Sequence, residues 1–132
     1  MTYRKFKQNK LWRDKAIPKL ENMGSKIHWE ELNADRFAEE LKVKLLEEAN
    51  EVCGAKTKEA LLEELADVLE VMTSFCELHG VTLQDVLAIR DRKHRERGGF
   101  QGRKYVTVAE HLPGSFGEKY CLADPTKYPE IT

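Results

Sequence analysis

Two helical stripes separated by a short break dominate the pattern of apolar and polar positions. In the first, Phe37, Leu41, Leu45 and Val52 fall on one arc at about 100° per residue. In the second, Leu61, Leu65, Val68, Val71, Met72 and Phe75 do the same. Between them lies CGAKT, a connection short enough to make the two helices antiparallel neighbours. Asn33 is placed to cap a helix over 34–53 that ends at Gly54, and Thr57 to cap one over 58–79 that stops at Gly80. Thr82 then caps a third helix over 83–97, closed by Gly98 and Gly99. Proline at 18 predicts a short helix over Lys19–Met23, stopped by Gly24.

Elsewhere the helical period is absent. Residues 2–12 mix basic and aromatic side chains without a repeat, and Lys26–Leu32 alternates weakly as extended chain. Arg103–Leu112 has the β-branched and aromatic content of a strand, one that could pair with the N-terminal arm or a second subunit. The last twenty residues carry Pro113, Gly114, Gly117, Pro125 and Pro129 and read as an irregular tail. The expectation is a mostly α fold, an antiparallel helical bundle with short extended N- and C-terminal segments. Residues 1–111 would form one helical domain and 112–132 the tail.

The stripes also contain acids. Glu47, Glu48 and Glu51 stand as EExxE on the first helix, and Glu64 and Asp67 as ExxD on the second. Glu48 and Glu64 lie inside the apolar arcs, Glu51 and Asp67 at their edges, and Glu47 just beyond, whereas Glu59, Glu63, Glu70 and Glu77 lie on the opposite face of the second helix. A carboxylate withdrawn from water must be protonated, paired or bound to a cation. Four such groups from two neighbouring helices repel one another unless a cation sits between them, and all-oxygen ligation suits Mg²⁺ or Mn²⁺. A helical di-iron centre would require histidine three residues after a glutamate, where Asn50, Glu51 and Asp67 stand. The plain alternative for both clusters is a solvated helix surface.

Composition narrows the classes. With 132 residues, 41% of them hydrophobic, the chain can build one core without disulfide staples. The net charge of −1 points neither to a nucleic-acid polymer nor to a membrane surface as partner. Cys53, Cys76 and Cys121 are few, odd in number and scattered, which suits free thiols in a reducing compartment. The first ten residues contain no apolar signal core and no apolar run approaches 18 residues, so the expected location is cytoplasmic.

Arg90, Lys93 and Arg97 share one face of the third helix, a spacing suited to a phosphate chain and equally to the negative end of a helix dipole. The arm at 2–12 suits either nucleotide contact or packing on the bundle.

Taken together, three segments resemble the all-α nucleoside triphosphate pyrophosphohydrolases, in the MazG-like and phosphoribosyl-ATP pyrophosphohydrolase-like branch. They are EExxE, twelve intervening residues and ExxD; KLWRDKAIP at Lys10–Pro18, similar to a KLVRDKIP opening; and KHRERGGF at Lys93–Phe100. The chain departs from that pattern at Ala16, an extra residue, and at Lys19, where an acid is usual.

The resemblance implies a Mg²⁺-dependent hydrolase that cleaves a nucleotide between its α and β phosphates, giving a monophosphate and pyrophosphate. It implies Glu48, Glu51, Glu64 and Asp67 as metal ligands, with Mn²⁺ an alternative ion, and Glu47 as catalytic base or further ligand. Lys93 and Arg97, then Arg13 and Lys15, would hold phosphates. It also implies a homo-oligomer, a dimer or tetramer, whose helix pairs join into a four-helix bundle. Two other classes stay open: a non-catalytic nucleotide- or metal-binding regulatory module of the same fold, and a structural helical interaction domain.

Overall fold

Side-chain caps mark where the long helices begin in the computed structural model, which describes residues 2–132. Helix α1 spans Ala16–Glu21, α2 Ala34–Gly54, α3 Lys58–Leu78, α4 Leu83–Arg97 and α5 Phe116–Leu122. Asn33 Oδ1 accepts from Arg36 N at 2.9 Å, and Thr57 Oγ1 from Ala60 N at 3.1 Å. At α4 the capping is reciprocal: Thr82 Oγ1 accepts from Asp85 N at 3.1 Å, while Thr82 N donates to Asp85 Oδ2 at 2.8 Å. Those bonds from Thr82 hold the Asp85 carboxyl below its ordinary range.

Helix α3 ends on Gly80, whose φ of 68° lets Gly80 N reach Glu77 O and Val81 N reach Cys76 O. A side chain at that φ would crowd the backbone, which is why glycine closes this turn. Helix α1 starts ahead of the expected Lys19, at Ala16. Pro18 is its third residue and so still lies in the first turn, where no intrahelical acceptor awaits an N–H.

The chain divides into two compact units, Met1–Lys93 and His94–Thr132. In the first, α2 and α3 pack on each other across the short link at 55–57. Leu41 on α2 and Val71 and Cys76 on α3 form the buried core, and Glu48 is buried with them at 6% exposure. Each such apolar side chain contributes about 1.5–3 kcal/mol when fully withdrawn from water. This core is thin for helices of 21 residues each. Leu61 and Leu65, placed on the inner arc by their spacing, are exposed, as are Leu62 at 62% and Leu69 at 47%.

In the second unit the tail is not wholly irregular. Ser115 Oγ accepts from Glu118 N, and Glu118 Oε1 accepts from Gly114 N, which together start α5. The ring of His111 lies so close to Gly117 that a Cβ there would collide with it. Tyr120 packs between Phe116 and Tyr128, with ring centroids 6.0 and 5.6 Å away.

The strand expected at Arg103–Leu112 does not form, and the described residues contain no strand. Strand preference expresses the fit of a side chain to a half-buried sheet, and here no neighbouring strand exists to supply one. Tyr105 is 91% exposed. Lys26–Leu32 likewise runs between α1 and α2 without joining a sheet.

Because the Thr57 hydroxyl satisfies an otherwise free N–H of α3, Thr57→Ala is expected to cost about 1 kcal/mol and Thr57→Ser much less. Urea unfolding of the three proteins measures the difference.

Candidate metal centre

The antiparallel pairing of α2 and α3 sets the end of one helix beside the beginning of the other. That register brings Glu48 and Glu51 of α2 against Glu64 of α3, with one carboxylate oxygen of each within 4.8 Å of the others. Glu48 is buried, Glu64 half-buried and Glu51 exposed. Glu48 Oε2 and Glu64 Oε2 are buried and accept no hydrogen bond. Hydrogen bonding with Glu51 raises the Glu64 carboxyl above its ordinary range, and desolvation adds to the shift. Repulsion from Glu51, Asp67 and Glu48 acts in the same direction. Orphaned oxygens and mutual repulsion are what a cation would relieve, and an all-carboxylate set suits a hard divalent ion. The three residues therefore could hold a metal ion.

The other acids have cationic partners. Asp67, one turn beyond Glu64, accepts from Arg13 Nη2 at 2.7 Å, and Glu70 approaches Arg13 Nη1 at 3.7 Å. Glu47 faces Lys10 Nζ at 3.2 Å and Lys44 Nζ at 3.5 Å. Lys44 also reaches Glu48 Oε1 at 3.3 Å, with its own side chain only 20% exposed. A cleft between the N-terminal arm and the helix pair is lined by Lys10, Arg13, Lys44, Glu48, Asp67 and Val71, among others.

The remaining candidates are more open. Lys15 lies at the start of α1, exposed and lining the same cleft. Lys93 and Arg97 are exposed on the last turns of α4, and among the described residues neither has an ion-pair partner. Lys93 does not line the cleft. Arg90, on the same face, pairs with Asp91.

Lys10 and Lys44 were not singled out by sequence. Lys44 carried a readable signal, because it precedes Glu47 by three residues and Glu48 by four and so shares their helix face. Lys10 carried none, since an arm without periodicity does not announce where it will lie.

An all-helical chain that gathers carboxylates from two antiparallel helices defines a class of candidate metal-dependent helical proteins. Residues 17–94 match the family model described as phosphoribosyl-ATP pyrophosphohydrolase. That is more than half the chain, which belongs to this family. Over 77 residues the chain is 36% identical to "Histidine biosynthesis bifunctional protein his7" of Schizosaccharomyces pombe. The aligned part is 58% of this chain and 18% of that relative, so the chain corresponds to less than a fifth of its length. No solved structure matches significantly. Among the described residues no helix is long and apolar enough to cross a membrane.

The raised Glu64 carboxyl has a consequence for stability. A group whose pKa is higher folded than unfolded stabilises the fold below its unfolded pKa and loses that contribution as pH rises through the folded value. In EDTA, Glu64→Gln is expected to melt above wild type at neutral pH. The gap should close as the pH falls into the ordinary glutamate range. Thermal melts across pH check this, and a gap independent of pH would contradict it.

Proposed function

We propose that the chain is a Mg²⁺-dependent pyrophosphohydrolase acting on phosphoribosyl-ATP or a related nucleoside triphosphate. The product would be the monophosphate, with pyrophosphate released. The observation that carries this reading is the convergence of Glu48, Glu51 and Glu64, with two buried and unpartnered oxygens, inside the segment that matches the family. That match favours phosphoribosyl-ATP over a general triphosphate.

Glu48, Glu51 and Glu64 would hold the ion, with Asp67 joining them. A divalent ion there, Mg²⁺ or in its place Mn²⁺, would neutralise phosphate charge and lower the pKa of water. Glu47, next to Glu48 in the chain, would orient a water molecule and accept its proton as water adds across the α–β phosphoanhydride. The bond to the bridging oxygen then breaks and pyrophosphate leaves. Arg13 and Lys15 from the cleft wall, and Lys93 and Arg97 from α4, are the cations proposed to hold the phosphates.

The same reading includes a homo-oligomer. Leu62, Leu65 and Leu69 recur along one side of α3 and are exposed, as are Val43 and Leu46 on α2. Apolar residues at helical spacing on both helices of a thin core are what a second helix pair would cover.

With phosphoribosyl-ATP and Mg²⁺, wild type should release pyrophosphate and the matching monophosphate, and EDTA should abolish both. Glu47→Gln is expected to lower kcat about 10²–10⁴-fold while cation affinity is kept. Turnover unaffected by EDTA, or none on phosphoribosyl-ATP or any triphosphate, would overturn the assignment. Sedimentation should give at least twice the 15.3 kDa chain mass, falling to the monomer in Leu65→Lys combined with Leu69→Lys.

A further inference from the structure

The N-terminal arm and its two cations beside the acid cluster lie outside the matched segment 17–94, and the geometry adds Lys10 to the role proposed above for Arg13. Asn9 takes a left-handed φ of 49°, and the next residue, Lys10, meets Glu47. Three residues on, Arg13 bonds Asp67 and approaches Glu70. The arm is thus pinned by ionic contacts to both helices of the pair, with Trp12 between the two contact points and half-buried. A cleft here is lined by Gln8, Leu11, Trp12, Leu20 and Lys44, among others.

These contacts are of a kind that exchanges readily. The Arg13 and Asp67 side chains are 55% and 39% exposed, and ion pairs so open to water are individually weak. They are also directed at acids beside the cluster: Lys10 at Glu47, the neighbour of Glu48, and Arg13 at Asp67, which the proposed function adds to the metal ligands. A cation on the cluster would weaken the hold on Lys10 and Arg13 while creating a demand for positive groups at the substrate's phosphates, for which a guanidinium and an ammonium are suited.

We propose that Lys10 and Arg13 are exchange residues: carboxylates hold them when the cluster lacks a cation, and a divalent cation frees them to bind the substrate's phosphate chain. The inference rests on the metal reading above. In consequence, the arm competes with the cation, and its two side chains serve as positioning groups for the polyphosphate. Lys44, anchored within α2 and more buried, stays in place.

The test uses the full chain carrying Trp29→Phe, so that Trp12 is the sole tryptophan; Trp29 is largely exposed and its replacement leaves the core untouched. Mg²⁺ binding is followed by calorimetry, and acrylamide quenching of Trp12 is read in the same samples at constant ionic strength. Mg²⁺ alone should increase quenching, and adding inorganic triphosphate should reverse it. Lys10→Gln combined with Arg13→Gln should bind Mg²⁺ about three- to tenfold more tightly, because the competing state is removed. In that variant triphosphate should not restore protection of Trp12. Mg²⁺ binding that leaves Trp12 unchanged, or weaker binding in the double variant, would overturn the exchange and leave the metal site standing. No binding heat in wild type would overturn the metal reading and the exchange together.

Discussion

Everything at the centre of this protein turns on carboxylates that two helices force together away from water. Glu48 is buried and Glu64 half-buried, each with an oxygen that no donor reaches, and Glu51 stands within 4.8 Å of both. Desolvation and like-charge repulsion both disfavour this arrangement, and together with hydrogen bonding to Glu51, the largest cause, they push the Glu64 carboxyl upward. Caps at Asn33 and Thr57, a short link and a small apolar core impose the register nonetheless. A cluster held against its own repulsion is a poor way to stabilise a fold and a good way to bind a cation.

The surroundings divide the remaining charge. Lys44 lies along the same helix as Glu47 and Glu48 and partly neutralises them from a fixed position. Lys10 pairs with Glu47 and Arg13 with Asp67, both from an arm that no helix holds. Compensation from within a helix and from a non-helical arm therefore coexist around one site. The core is thin: Leu41, Val71 and Cys76 are buried, while Leu62, Leu65 and Leu69 remain exposed.

Much of this was legible in the residues. The three long helices and their caps were, because Asn33, Thr57, Thr82 and Gly80 act locally and independently of the rest of the fold. Glu48 and Glu64 were marked by lying within apolar arcs. The exposure of Leu61 and Leu65 was not legible, because a stripe shows which residues share a face and not whether a neighbour covers it. Arg103–Leu112 departs from its strand-like composition for a related reason, since β-branched residues make a strand only beside another strand. Helix α5 had a local signal in Ser115 and Glu118 that proline and glycine nearby obscured. Lys10 and Arg13, which meet Glu47 and Asp67, were hidden because an aperiodic arm can be placed only in three dimensions.

The most direct test of the central claim is to locate a cation. A crystal grown with Mn²⁺ and measured for anomalous scattering should show a peak coordinated by Glu48, Glu51 and Glu64, and the peak should be absent in crystals of Glu48→Gln. Full Mn²⁺ occupancy elsewhere, or none between these carboxylates at saturating Mn²⁺, would contradict the account.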